Sequence, residues 1–139
     1  MIDFNHMPRV AVGFMNDDHT KLMLLLNELS AQLASYEQAN SGAERVAHAF
    51  EEVLAHSRAH FAQEQALMEQ YDFPPYHCHR GEHERVLAEM EAELTAWNAA
   101  RDPARLKHYV GETVPKWFVN HLETMDYVTA MFLAQHGVQ

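Results

Sequence analysis

A single cysteine, Cys78, stands in 139 residues, so no intrachain disulfide can brace this chain. Stability must come from a packed core, and a lone thiol fits a reducing compartment such as the cytoplasm. Basic residues are also scarce: ten Lys and Arg face twenty Asp and Glu, for a net charge of −10. With no Lys/Arg cluster to neutralise several phosphates, nucleic-acid binding is excluded. No apolar run approaches the roughly 20 residues that a membrane helix needs. The opening stretch MIDFNHMPRVAVGFMN lacks a positive region followed by an apolar one, so it does not read as a secretory leader. The expectation is a cytoplasmic, acidic protein with no membrane and no nucleic-acid partner. Glycine and proline number five each, and there is no internal repeat, low-complexity tract or strand-like alternation of useful length.

What is present is apolar bulk and histidine. Hydrophobic residues make up 47% of the chain, enough for one packed domain spanning residues 1–139. Eleven histidines and eight methionines stand out. Histidine enrichment points to metal binding, although composition does not place the metal.

The apolar residues recur at helical spacing in four segments. Residues 1–15, with Pro8 and Gly13, read as an irregular N-terminal arm whose Val10, Val12, Phe14 and Met15 suit packing on the domain. A first helix is expected over 16–38, with Asn16 or Asp17 as N-cap and a stripe from Leu22 through Leu26 and Leu33 to Tyr36. A turn at Asn40–Ser41–Gly42 leads to a second helix over 43–71, ended by Pro74 and Pro75. A third covers 76–99, and Arg101, Asp102 and Pro103 break it. A fourth runs over 104–135, with Pro115 inside it as a kink or interruption. The bundle so defined, 16–135, is all-α: four amphipathic helices with short connections, antiparallel and up-down-up-down.

Seven residues on the inward stripes carry the chemistry: His19, His60, Glu64, His79, His83, His121 and Asp126. Residues i and i+4 neighbour each other on a helix face, so His60 and Glu64 reach one region together, as do His79 and His83. The spacing of five in His121–Asp126 turns the Asp roughly 140° from the His on a regular helix. That pair converges only if the metals lie between the two directions or the helix widens locally. Imidazole suits iron, carboxylates can bridge two ions, and two buried carboxylates without a cation would be costly.

The series H … HxxxE … HxxxH … HxxxxD resembles the hemerythrin family, specifically its single-domain bacterial members, over almost the whole chain. The resemblance implies two iron ions, Fe2+ or Fe3+, joined by an oxo or hydroxo bridge, with dioxygen as the ligand. His79, His83 and His121 would complete one iron. His19 and His60 would hold the other and leave one position open, while Glu64 and Asp126 bridge both. In that family, positions like Leu22, Met68, Trp117 and Phe118 wall the oxygen pocket. Asn16 stands where the family commonly has Asp. The function implied is reversible dioxygen binding by a monomeric carrier, store or delivery protein that is not an enzyme.

Three rivals share these residues. An oxygen, redox or iron sensor would use the same site through an unidentified protein partner. A ferritin-like diiron oxidase would require Glu-x-x-His, which occurs nowhere here. A zinc peptidase would use the HxxEH string at 79–83 with Glu82 as base, but a bundle of this length offers no substrate cleft. His6, His48, His56, His77, His108 and His136 read as ordinary histidines; His56, four residues before His60, only mimics a metal pair. Cys78 reads as a small residue at a helix start.

Overall fold

The computed structural model describes residues 8–139; His6 and the first seven residues of the expected arm lie outside the described residues. Helix α1 spans Gly13–Ala39, α2 spans Ala43–Gln70 and α3 spans Tyr76–Ala100. Helix α4 covers 103–135 as a chain of α-helical stretches joined by two wider, π-helical turns, Tyr109–Thr113 and Leu122–Asp126. α1 packs along α2 and against the first part of α4, and α2 packs along α3. With connections this short, neighbouring helices run antiparallel, and the four form the expected bundle. Among the described residues no helix is long and apolar enough to cross a membrane.

The first helix starts earlier than expected, and its cap is not the expected one. Val12 occupies the N-cap position without a side-chain bond. Asn16 lies inside the helix and reaches back instead. Its Oδ1 accepts from the Val10 N–H at 2.9 Å, and its Nδ2 donates to the Val10 carbonyl at 2.8 Å. This staple closes the arm onto the bundle, where Val10, Val12 and Met15 bury against Ala130 and Leu133 of α4. Asp17 is an exposed helical residue and caps nothing.

Loop chemistry sets the other ends. Asn40 takes a left-handed conformation and its N–H closes on the Tyr36 carbonyl, the polar side chain tolerating a φ that most residues avoid. At Gly42, φ +95°, a Cβ would come 2.6 Å from the Arg45 guanidinium. Asp102 caps α4, its Oδ1 accepting from the N–H groups of Ala104 and Arg105, with Pro103 in the first turn.

One large apolar cluster fills the bundle from Leu22 to Leu33 on α1, Ala43 to Phe61 on α2, Val86 to Trp97 on α3 and Leu106 to Leu122 on α4. Each large side chain fully buried there contributes about 1.5–3 kcal/mol. Trp97 also donates its indole N–H to the Ala43 carbonyl at 3.2 Å, tying α3 to the start of α2.

Pro115 shapes α4 by widening it. In a regular helix its ring would clash with the carbonyl four residues back, at Gly111. The wide turn lies just before the proline, and the Val114 N–H closes on the Tyr109 carbonyl, five residues back. The second wide turn closes the same way, from the Tyr127 N–H to the Leu122 carbonyl. A turn closed over five residues brings the sixth back above the first. It therefore lays Asp126 over His121, which a regular helix would keep on different faces.

Candidate metal centre

All seven residues singled out from the sequence are buried, and their polar ends meet in the middle of the bundle. They come from all four helices: His19 from α1, His60 and Glu64 from α2, His79 and His83 from α3, His121 and Asp126 from α4. Two sets form, each with ligand-type atoms within 4.8 Å of one another: His79, His83, His121 and Asp126, and His19, His60 and Glu64.

The carboxylates link the sets. Asp126 Oδ1 lies 3.0 Å from His79 Nε2 and 3.1 Å from His121 Nε2, while its Oδ2 lies 3.2 Å from His19 Nε2. Glu64 Oε2 lies 3.2 Å from His60 Nε2, and Oε1 lies 3.4 Å from His83 Nε2. Every inward imidazole atom is Nε2. The Nε2 of His121 sits 3.2 Å from that of His79 and 3.3 Å from that of His83.

The outer ring nitrogens explain this orientation. His60 Nδ1–H donates to Asp18 Oδ2 at 2.7 Å, and His83 Nδ1–H donates to Gln65 Oε1 at 3.1 Å. His79 Nδ1 meets the Thr129 hydroxyl at 2.8 Å. With the proton of a neutral ring held on Nδ1, the Nε2 lone pair faces inward, as metal ligation requires.

A metal pair fits this donor set. Both oxygens of Glu64, Oδ1 of Asp126, Nε2 of His60 and both nitrogens of His19 are buried without a hydrogen-bond partner. Buried polar atoms left unpaired cost stability, and buried carboxylates cost most. Three imidazole lone pairs converging on one point repel one another unless a cation lies between them. With metal–imidazole bonds of about 2.0–2.1 Å, adjacent ligands at right angles would stand about 3 Å apart, close to the observed spacing.

Electrostatics separate the histidines. Burial alone would lower His60, but Glu64, helped by Asp18 and Asp126, raises it to about 9. His83 is pushed down to about 2 by burial and by its neighbours His79 and His121. Burial would raise Asp126, yet contacts with His121, His19 and His79 hold it well below the ordinary carboxylate range.

Aromatic rings wall the centre. Phe118 sets its ring edge-on to His19 at 5.5 Å, and Trp117 stacks on His121 at 4.6 Å. Phe61, which sequence reading did not single out, stacks on His83 at 3.9 Å. Leu22 and Phe118 share the main core cluster and Trp117 packs against it. Met68 is buried but outside that cluster.

Glu82 turns away from the histidines. It pairs with Arg85 and accepts the Trp117 indole N–H at 2.6 Å, so HxxEH has no base facing His79 and His83. His56 joins neither set; its Nε2–H donates to the Asp18 carbonyl at 2.9 Å. Cys78 is exposed. The outer partners Asp18, Gln65 and Thr129 were not read from the sequence. Two of them stand next to a candidate ligand, which is the only local signal they give.

Comparison with known proteins agrees in fold and family. Residues 10–133 match the family of hemerythrin HHE cation binding domains. A bacteriohemerythrin of Ralstonia nicotianae is 44% identical over 89 residues, covering 64% of this chain and 64% of that relative, so the match spans just under two thirds of its length. A bacteriohemerythrin of Aquifex aeolicus is 25% identical over 129 residues, covering 93% of this chain and 95% of that one. The crystal structure of a wild-type hemerythrin shares the fold, with a TM-score of 0.76 at 18% identity over 96% of this chain and 97% of that one.

Proposed function

This chain belongs to the hemerythrin HHE cation-binding family, and on that premise we propose that its centre holds two iron ions and binds dioxygen reversibly. The observation that carries this reading is an unequal division of imidazoles around two shared carboxylates. Three histidines (His79, His83 and His121) gather on one side and two (His19 and His60) on the other. With Glu64 and Asp126 reaching both, the second side has one protein ligand fewer, which is where an external ligand can enter.

When bound, the iron pair supplies the electrons for taking up dioxygen. The chain's own residues then do four things. Five Nε2 lone pairs and two carboxylates would hold the cations, with the carboxylates offsetting part of their charge. Asp18, Gln65 and Thr129 orient the rings of His60, His83 and His79. Phe118 and Leu22, both buried, exclude water beside His19. Excluding water hinders loss of the bound ligand by proton-coupled routes. The reading is of a carrier, store or delivery protein rather than an enzyme.

The test is optical. The iron-loaded protein is reduced without oxygen, oxygen is admitted and then removed, and spectra and iron per chain are recorded. The expected result is two irons per chain and a charge-transfer band that appears with oxygen and disappears on its removal. Immediate, irreversible oxidation would sink the carrier reading and favour a redox sensor or oxidase built on the same centre.

Leu22→Ala should open the wall beside His19. The expected outcome is faster autoxidation of the oxygenated form, with helix content kept. Truncating a buried leucine costs about 2–5 kcal/mol, so the comparison belongs well below the variant's melting temperature. An oxygenated lifetime equal to that of the parent would remove Leu22 from the wall.

A further inference from the structure

We propose that Asp18 is a positioning residue for the metal centre, a carboxylate that orients His60 and strengthens it as a donor, and that His56 holds Asp18 in place. The inference rests on the metal-centre reading above and assigns a role to two residues outside the seven candidate ligands.

The geometry has two tiers. In the inner tier, the Asp18 carboxylate on α1 accepts the His60 Nδ1–H from α2 at 2.7 Å. Asp18 immediately precedes His19, so a single turn of α1 supplies one candidate ligand and the outer partner of another. In the outer tier, His56 sits one helical turn before His60, its ring parallel to that of His60 at 6.3 Å and 6°. Its Nε2–H donates to the backbone carbonyl of Asp18 at 2.9 Å. That bond pins the α1 backbone to α2 at the residue whose side chain must meet His60. His56 thus acts on the centre without touching it, which accounts for a histidine four residues from His60 that joins neither metal set.

The arrangement is lopsided. His83 bonds a neutral amide and His79 a neutral hydroxyl, while Nδ1 of His19 and of His121 has no partner. Among the described residues, the one anionic outer partner of a candidate ligand is therefore Asp18, and it serves the side with fewer imidazoles. An anionic acceptor on the outer N–H fixes the tautomer and raises the basicity of the inner nitrogen. The physical effect is to retain a cation on the side that has fewest protein ligands, and to favour its more oxidised state.

The position suits a clean experiment, because the Asp18 side chain is 28% exposed and its removal leaves no cavity in the apolar core. Metal-free wild type, Asp18→Asn, Asp18→Ala and, as a charge control, Asp17→Asn are titrated with Co2+ against a chromophoric chelator. Asp17 is exposed and takes no part in the clasp. The zinc-loaded forms are then examined by proton–nitrogen NMR for the His60 Nδ1–H resonance, and the iron-loaded forms by redox titration.

Asp18→Ala is expected to weaken one of the two cobalt sites by roughly 10- to 100-fold, and Asp18→Asn, which keeps an acceptor oxygen, by less. The His60 Nδ1 proton, far downfield in wild type, should move upfield in Asn and exchange away in Ala. The reduction potential should rise in both, and Asp17→Asn should match wild type. His56→Gln should reproduce part of the Asp18→Asn pattern. Two cobalt sites of wild-type affinity in Asp18→Ala, with potential and NMR signal unchanged, would overturn the clasp while leaving the metal centre standing. A wild-type protein that takes up no cobalt would overturn the metal centre itself, and the clasp with it. A general loss of stability cannot imitate the expected pattern, because it would not confine the effect to one site or grade it from Asn to Ala.

Discussion

Replacing Asp126 by alanine is expected to abolish the binding of a metal pair. Asp126, like Glu64, faces histidines of both sets, and it has three Nε2 atoms within 3.2 Å. Oδ1 lies near His79 and His121, and Oδ2 near His19. Its loss removes a negative charge from between the two cations and a ligand from each. The affinity lost should exceed the roughly 10- to 100-fold that removal of a ligand's outer partner costs. Iron per chain should fall from two to one or none, and the oxygen-dependent band should vanish. Asp126→Asn keeps the volume, so a matching loss in that variant assigns the effect to charge and not to a cavity. The metal-free variants should stay helical by circular dichroism, since Asp126 is buried among histidines and packs little of the apolar core. Two tightly held irons in Asp126→Ala would show that the carboxylate does not bridge.

Stripping the metal should lower the melting temperature sharply and expose a pH optimum that the loaded protein lacks. Ions present at about 1,000 times their dissociation constant stabilise by about 4 kcal/mol per site. At this chain length about 1 kcal/mol moves the melting temperature by roughly 3–4 °C. Two sites therefore give a shift of roughly 25–30 °C. In the metal-free protein the two perturbed histidines act in opposite directions. His83, held down to about 2 by burial and its histidine neighbours, refuses a proton that the unfolded chain accepts below its ordinary value of 6.5. Stability therefore falls as pH drops below that value. His60 is raised to about 9 because Glu64 and Asp18 outweigh burial. Its contribution is complete below 6.5 and is lost as pH rises through about 9. Asp126, held low by His121, His19 and His79, adds to the loss in acid. Metal-free stability should peak at roughly pH 6–7 and decline on both sides. In the loaded protein the alkaline decline should disappear, because the Nε2 of a ligating His60 holds the metal in place of the titrating proton. Thermal melts of both forms across pH check this; a metal-free curve flat from pH 5 to 9, within about one unit, would discard the electrostatic account of the centre.

The outer partners bear on any change made at the centre. Trp117 is held flat on His121 by its bond to Glu82, and Phe61 lies flat on His83. A substitution at Glu82 therefore reaches the centre through a ring, not through an acid–base role. The HxxEH string is thus a coincidence of helix spacing: the residue before His83 sits roughly 100° around the helix from it, facing Arg85 and Trp117.

The four helices and the pairs His60–Glu64 and His79–His83 were legible in the sequence for one physical reason, while the roles of His19 and Asp126 came with the resemblance to the hemerythrin family. Helical periodicity is local, so apolar stripes and the i, i+4 pairs His60–Glu64 and His79–His83 declare which face turns inward without reference to any other segment. The turn residues Asn40, Gly42 and Asp102 are equally local. The sequence was less informative where a choice depended on another helix. Asn16 looked like a cap, yet it bonds to Val10 because the arm folds back against α4. The spacing of His121 and Asp126 left two geometries open, and packing selected the wide turn Leu122–Asp126. The carboxylate behind His60 is 42 positions away and the hydroxyl behind His79 is 50 away. Such partners are fixed by how far each helix rotates about its own axis in the bundle. The chain alone thus determined which residues line the centre. Only the tertiary structure decided which nitrogen each histidine presents, how the five imidazoles divide between two carboxylates, and which ring receives the support of a charge, because each of those depends on contacts between helices that no local pattern encodes.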